Sequence, residues 1–189
     1  MTDADVLRES LSQPAMFAAL YERHAGAVSI YLIRRVGNGI AEDLTAEVFV
    51  RAFRARATYD VRHDTALPWL LGIASNLIAD HRRAERRRLA AVERLARTTP
   101  AFAPDRHAVE LGAELARALR RLPAVDRDTL LLVVWGELSY EEVAVALGVP
   151  VGTVRSRISR ARKRLAGTAG VQRDSIRSTE VQLKGETHA

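Results

Sequence analysis

The sequence predicts an all-α protein made of two small helical domains joined by a flexible linker, with a helix-turn-helix in the C-terminal domain. Apolar residues recur every three or four positions through most of the 189 residues, and no stretch alternates cleanly between apolar and polar. Glycine and proline cluster between these periodic runs. Residues 98–104 hold two prolines and little periodicity, which is typical of a linker.

The N-terminal domain is predicted to span residues 10–90. Its first helix opens at Ser12-Gln13-Pro14, because proline is tolerated in the first turn of a helix. After a Gly-Asn-Gly turn, a second helix runs from about Ala41 to Ala55. A loop from Tyr59 to Ala66 follows, and Pro68 opens a long helix that runs through about Arg88.

The linker is predicted at residues 91–107 and the C-terminal domain at residues 108–167. Helices are expected to resume near Ala108 and to stop before Pro123, and three more are expected over residues 125–135, 139–147 and 152–165. Residues 168–189 are polar and aperiodic, and we expect this tail to be disordered.

The composition narrows the possible functions. The formal net charge is +6, and all but two of the 29 basic residues are arginine, whose forked guanidinium suits phosphate and guanine. The chain has no cysteine, which excludes disulfides, thiolate metal sites and a cysteine nucleophile. No apolar run approaches the roughly 20 residues that span a bilayer, and the N-terminus lacks a signal-peptide pattern. We therefore expect a cytoplasmic protein without a membrane partner.

Residues 139–165 carry the strongest motif. Ser139 and Glu142 have the spacing of a capping box at a helix start. Gly148 follows where the chain must turn sharply, since only glycine adopts a positive φ at low cost. A small Ala144 before the turn and an apolar Val154 after it complete the spacing of a helix-turn-helix.

The second helix of this motif has two distinct faces. One face is a narrow apolar stripe, formed by Val154, Ile158, Ala161 and Leu165. Residues 155–164 hold six basic residues and no acid, so the helix lacks the mixed-sign pairs of an ordinary solvated helix. This pattern is expected where phosphates supply the negative charge.

Two helices of the N-terminal domain also carry candidate sites. The helix over residues 41–55 has apolar residues on two sides of one charged strip, so either both sides are buried or one awaits a partner. On the helix from Pro68, Asn76, Asp80 and Arg83 share an outward line and an arginine run follows.

Several motifs together resemble the extracytoplasmic-function (group IV) sigma factors of bacterial RNA polymerase. The region-four resemblance lies in Leu122-Pro123, in LSYEEVA over residues 138–144 and in GVPVGTVRSRISRAR over residues 148–162. The region-two resemblance lies in LYERH over residues 20–24, AEDLTAEVF over residues 41–49, Trp69-Leu70 and IASNLIADHRR over residues 73–83. The motifs occur in the expected order over about residues 15–165.

The resemblance implies a protein that binds core RNA polymerase, recognises two promoter elements in DNA and helps to open it, with no catalytic site, metal or cofactor and no small-molecule substrate. It also implies regulation by an anti-sigma factor.

The same resemblance assigns residues to three contacts. The residues implied for the upstream promoter element are Thr153, Arg155, Ser156, Ser159, Arg160 and Lys163. Those implied for the unpaired downstream element are Arg62, His63, Asn76, Asp80, Arg82, Arg83 and Arg86. Those implied for core polymerase are Asp43, Leu44, Glu47, Phe49 and Phe53. An unpaired base can be read on its edge, and the Asn76 amide both donates and accepts hydrogen bonds.

Two other readings remain open from the residues alone. A stand-alone transcription regulator would use the helix-turn-helix with a helical N-terminal domain for sensing or dimerisation. An enzyme would start from carboxylate clusters at residues 42–47 or 60–64, but no histidine follows the glutamates at the spacing of a helical di-metal site.

Overall fold

A computed structural model describes residues 1–96 and 113–166 of the chain, with side chains described for residues 1–90 and 115–166. Within these ranges the secondary structure is helical, which confirms the predicted fold class. The helices are α1 (Asp3–Glu9), α2 (Ala18–Val36), α3 (Asn38–Ala55), α4 (Leu67–Ala96), α5 (Ala113–Arg121), α6 (Ala124–Val134), α7 (Tyr140–Leu147) and α8 (Val151–Ala166). Short 3-10 turns lie at Pro14–Phe17 and Arg56–Thr58.

Helix α1 was not predicted from the sequence. A capping box between Thr2 and Asp5 starts it, and Val6 and Leu7 are fully buried in the core. It therefore belongs to the N-terminal unit, although it lies ahead of the predicted boundary at residue 10. Pro14 opens a 3-10 turn rather than α2, which begins four residues later at Ala18.

Helices α2, α3 and α4 pack against one another and build the N-terminal core. Helix α4 is 30 residues long and continues past the predicted end near Arg88 to Ala96, six residues into the predicted linker. Residues 89–96 are mostly alanine, leucine, arginine and glutamate, which are strong helix formers. The rest of the predicted linker, the helix start near Ala108 and the predicted tail lie outside the described residues.

The helix-turn-helix of the C-terminal unit follows the predicted chemistry. The Glu142 backbone N–H donates to Ser139 Oγ (3.2 Å), and the Ser139 N–H donates to Glu142 Oε2 (2.8 Å). Gly148 ends α7 in the left-handed conformation, with φ of 62°. Helix α8 then packs on α6 and α7. Both the capping box and the glycine turn are confirmed.

The two units also pack on each other, through α4 and α7. Gly72 of α4 lies so close to the Ala146 carbonyl oxygen of α7 that a Cβ atom at residue 72 would collide with it. Nearby, the fully buried Arg35 guanidinium donates to Asp128 Oδ1 at 2.6 Å. The first helix of the helix-turn-helix therefore rests on the N-terminal unit.

Candidate nucleic-acid interface

Helix α8 presents its basic face to solvent because its apolar stripe is buried. The four stripe residues are all at most 4% exposed: Val154, Ile158, Ala161 and Leu165. Arg155, Ser156, Ser159 and Lys163 are exposed on the remaining surface of the helix. Arg155 approaches Glu141 of α7 at 3.7 Å, but both side chains are 67% exposed, so this pair is solvated. The exposed face can meet the phosphates and base edges of a duplex.

Arg160 and Thr153 have more contacts within the protein than the other residues implied for the upstream element. Arg160 donates to both oxygens of Asp126 on α6, at 2.8 and 3.3 Å, and the Asp126 side chain is only 3% exposed. These hydrogen bonds raise the pKa of Arg160. Thr153 is half-buried, and its carbonyl oxygen accepts from the Ser156 hydroxyl at 2.9 Å. Arg160 therefore ties α8 to α6 as well as facing solvent.

Asn76 is exposed on α4, between the buried Ser75 and Leu77. Its neighbours on the expected outward line are engaged with one another. Asp80 accepts from Arg51 of α3 at 3.3 Å and from Arg83 one turn along α4. These hydrogen bonds, the one from Arg51 first, lower the pKa of the Asp80 carboxyl group. An ionic network therefore flanks the Asn76 amide.

The remaining basic candidates on α4 differ in exposure. Arg82 is half-buried and donates to the Arg35 carbonyl oxygen at 3.4 Å. Arg86 is exposed, as are the two arginines that follow it. This part of α4 can attract the phosphates of a nucleic-acid strand.

The loop that precedes α4 is held by its own side chains. Arg62 forms a forked pair with Asp60, with Nε–Oδ1 of 2.9 Å and Nη2–Oδ2 of 2.5 Å, and this pair holds the pKa of Asp60 well below its usual range. His63 Nε2 lies 4.0 Å from Asp60 Oδ2. The Tyr59 hydroxyl is close to the carbonyl oxygens of His63 (2.8 Å) and Thr65 (2.9 Å). These contacts give residues 60–66 a defined conformation. We call this segment the reading loop.

A groove runs between α2 and α3. The residues that line it are Tyr21, Ala25, Gly26, Ser29, Ile33, Asn38, Ala41, Glu42, Thr45 and Ala46. Tyr21 and Ile33 are 49% and 38% exposed, so the groove presents apolar surface that can contact a partner. Neither residue was assigned to a contact from the sequence, although Tyr21 lies in the LYERH motif. The available signal was the row Tyr21, Ala25, Ser29, Ile33, which repeats every four residues on one helix face.

The candidate polymerase contacts divide between the surface and the core. Asp43 is exposed, and Leu44 is half-buried. Glu47 accepts from Arg51 at 2.8 Å. Phe49 is 6% exposed and packs edge-on against Tyr21, with ring centroids 4.8 Å apart.

Phe53 is half-buried as well. Its ring lies between Phe17, with centroids 5.3 Å apart, and the Arg56 guanidinium at 3.9 Å. Phe49 therefore supports the groove residue Tyr21 from behind, whereas Phe53 packs on Phe17 and Arg56, outside the groove lining.

Among the described residues, no group of three or more histidine, aspartate or glutamate side chains converges in a way that could hold a metal ion. No helix in the described ranges is both long and apolar enough to cross a membrane.

Comparisons with known proteins match both units. The description "Sigma-70 region 2" fits residues 20–88, and "Sigma-70, region 4" fits residues 112–165. The ECF RNA polymerase sigma factor SigE of Mycolicibacterium smegmatis is 41% identical over 152 residues, which cover 77% of this chain and 58% of the relative. SigC of Mycobacterium tuberculosis is 41% identical and covers 69% of this chain and 71% of the relative. The RNA polymerase sigma factor CarQ of Myxococcus xanthus is 34% identical and covers 82% of this chain and 89% of the relative.

Two solved structures are similar over most of their length. CnrH, in complex with the cytosolic domain of CnrY, has a TM-score of 0.60 and 25% identity, covering 87% of this chain and 95% of that one. The sigma factor RpoE of Bartonella quintana, in complex with the anti-sigma factor NepR, has the same TM-score and identity, covering 83% and 98%.

Proposed function

This chain belongs to the extracytoplasmic-function RNA polymerase sigma factors, and we propose that its two units divide promoter recognition between them. The observation that supports this most directly is the pairing of a region-two match over residues 20–88 with a region-four match over residues 112–165. The chain binds core RNA polymerase and promoter DNA and initiates transcription. It has no enzymatic role, acts in the cytoplasm and falls in the group IV subgroup.

In this proposal α8 reads the upstream promoter element as duplex. The exposed Arg155, Ser156, Ser159 and Lys163 form its contact face, with Thr153 at the start of the helix. An α-helix fits the major groove, where arginine can pair with a guanine edge. Arg160 contributes a phosphate contact from the position that Asp126 gives it.

The N-terminal unit reads the downstream element after melting. Asn76 offers an exposed amide to a Watson–Crick edge, and the reading loop, with Arg62 and His63, shapes the pocket for the base. Asp80 and Arg83 flank the amide as an ion pair, and Arg82 and Arg86 lie further along α4 to hold the strand.

Core polymerase occupies the groove between α2 and α3. Tyr21 and Ile33 line the groove and supply apolar contact, and Phe49 packs against Tyr21. Asp43, Leu44, Glu47 and Phe53 lie on α3 outside the groove lining and extend the contact along this helix. An anti-sigma factor regulates the chain, as one similar structure is a complex of a sigma factor with an anti-sigma factor.

A single experiment tests the proposed function: run-off transcription with purified core polymerase on a library of randomised promoters. We expect transcripts only when both core and this chain are present, with sequence preference at two separated elements. A stand-alone regulator would instead bind a duplex site tightly without core and give no core-dependent transcript. The region-two match of residues 20–88 argues against that alternative.

A further inference from the structure

Asp3, in the first turn of α1, has a buried carboxylate with three partners, two on α2 and one at the end of the reading loop. Its side chain is only 6% exposed. Oδ1 accepts from Arg23 at 2.9 Å, and Oδ2 lies 2.5 Å from His24 Nε2, both on α2. Oδ2 also accepts the backbone N–H of Ala66 at 2.8 Å. The backbone N–H of Asp3 donates to the Asp64 carbonyl oxygen at 3.3 Å.

The last two contacts hold the C-terminal end of the reading loop, just before α4 begins. The Tyr59 hydroxyl holds the same loop from inside, through the carbonyl oxygens of His63 and Thr65. No side chain of α2, α3 or α4 has a hydrogen bond to the Ala66 amide among the described contacts, so Asp3 is its partner. Asp3 therefore fixes the end of a loop that lies 63 residues further along the chain.

The electrostatics favour an ionised Asp3. Although burial opposes ionisation, the hydrogen bonds from the Ala66 N–H, Arg23 and His24 lower the pKa of its carboxyl group. A hydrogen bond from a backbone N–H to an ionised acceptor is stronger than one to a neutral acceptor. Arg23 and His24, at the end of the LYERH motif, thus fix the position of the Asp3 carboxylate. That carboxylate in turn accepts the Ala66 N–H of the loop.

We propose that Asp3 is a positioning residue for the reading loop and thereby contributes to base choice at the downstream promoter element. This inference rests on the proposed function of that loop. Arg62 and His63 directly precede Asp64 and Ala66, the two residues of the loop that Asp3 holds. Releasing the Ala66 end lets both side chains move relative to Asn76, whose backbone α4 keeps fixed.

Loss of the Asp3 contacts need not unfold the unit, because α1 keeps its other attachments. Val6 and Leu7 remain buried, and the capping box between Thr2 and Asp5 is independent of Asp3. A change in base preference without a change in fold is therefore the expected signature.

The test is transcription by holoenzyme, assembled with the full chain, from promoters that carry each base at each downstream position. Asp3→Ala should reduce discrimination at one position by about threefold to tenfold, the range of one hydrogen bond. Asp3→Glu keeps the charge for Arg23 and His24 but displaces the loop contact, and it should shift preference at the same position. Upstream preference should stay unchanged in both variants.

Glu9→Ala is the matched control, since it removes an exposed acid from the same helix, and the Glu9 side chain has no hydrogen bond or ion pair among the described contacts. Hydrogen exchange at the Ala66 amide should accelerate in Asp3→Ala and stay unchanged in Glu9→Ala. Equal effects of Asp3→Ala and Glu9→Ala on base preference would overturn the inference, because they would not be specific to the Asp3 contacts.

Arg62→Ala separates failure of the inference from failure of the proposed function. If Arg62→Ala alters downstream preference while folded Asp3→Ala and Asp3→Glu keep the wild-type profile, the loop reads DNA and the Asp3 inference is wrong. If the wild type itself has no downstream preference, both are wrong.

Discussion

Arg155 and Arg160 lie on one helix, five residues apart, but the structure gives them different roles. Arg155 is 67% exposed and is free to reach DNA. Arg160 pairs with the buried Asp126. We expect Arg155→Ala to cost about 1–3 kcal/mol in binding and to relax preference at one upstream position, as for an arginine that reads a base. Quantitative binding to duplex libraries, with salt titration, measures this.

Arg160→Ala should behave differently, because it leaves the Asp126 carboxylate buried without its cation. We expect the thermal unfolding midpoint to fall by several degrees, whereas Arg155→Ala should leave it unchanged. Circular dichroism melts of the full chain check both. A stable Arg160→Ala protein with altered base preference would make Arg160 a base reader instead.

Asn76 carries the downstream prediction. Asn76→Ala should remove about 1–3 kcal/mol of discrimination at one position, since an amide can pair twice with a base edge. It should also reduce open-complex formation on fully paired promoters. His81→Ala, exposed on another face of the same helix, is the control. If Asn76→Ala keeps the wild-type preference at every position, Asn76 is a surface residue and the loop alone reads the base.

Among the helices, those with local signals were predictable from the sequence. The capping box of Ser139 with Glu142 and the turn at Gly148 depend only on residues that are close in sequence. Helix α7 and its turn could therefore be predicted. Helix α1 has only seven residues, too few to show an apolar periodicity in the sequence. The spacing of Thr2 and Asp5 was the one signal of its capping box. The ionic network of Asp80 joins two helices and has no local pattern, and the same holds for the pairing of Arg160 with Asp126.

The reading loop gives a pH-dependent prediction. Burial first, and then the charges of Asp3, Asp60 and Asp64, raise the pKa of Tyr59 from 10.0 to about 12. Its stabilising contribution is therefore complete below pH 10 and is lost as the pH rises towards 12. Tyr59→Phe should lower the free energy of unfolding at pH 9, because the loop loses its hydroxyl contacts. Between pH 10 and 12, the free energy of unfolding should fall less in this variant than in the wild type.

Urea unfolding at several alkaline pH values, with absorbance titration of tyrosinate, measures both effects. Burial also raises the pKa of Tyr31. Its contribution to the alkaline loss of stability is the same in the wild type and in Tyr59→Phe. An alkaline loss of stability that is identical in Tyr59→Phe would show that Tyr59 does not titrate as the loop geometry requires.

The α2–α3 groove gives a prediction for the polymerase contact. Asp43 is exposed and has no hydrogen bond or ion pair among the described contacts, so Asp43→Arg should leave the fold intact. We expect it to weaken binding to core polymerase by about tenfold, through charge reversal beside the groove. Fluorescence anisotropy measures the affinity. Glu9→Arg, on the exposed side of α1, is the control, and equal affinity in both variants would move the interface elsewhere.

At the scale of the whole molecule, the sequence predicted two units but not their contact. The two units meet at a close backbone approach of α4 and α7 at Gly72, and at the pair of the buried Arg35 on α2 with Asp128 on α6. These residues are far apart in the chain, and no periodic pattern links them. The one local sign was a glycine inside a helix, which often marks a close approach of another backbone.

Gly72 and Gly26 allow this docking to be tested with a matched pair of variants. Both glycines lie inside helices, so replacement by alanine should add about 0.5–1 kcal/mol of helix stability at each. A Cβ atom at Gly26 meets nothing within 4 Å, whereas one at Gly72 collides with the Ala146 carbonyl. Gly26→Ala should therefore stabilise the chain and keep its shape. Gly72→Ala should push α7 off α4, raise the radius of gyration in small-angle X-ray scattering and expose Arg35. If both variants gain the same stability at an unchanged radius of gyration, the two units do not dock through these helices in solution.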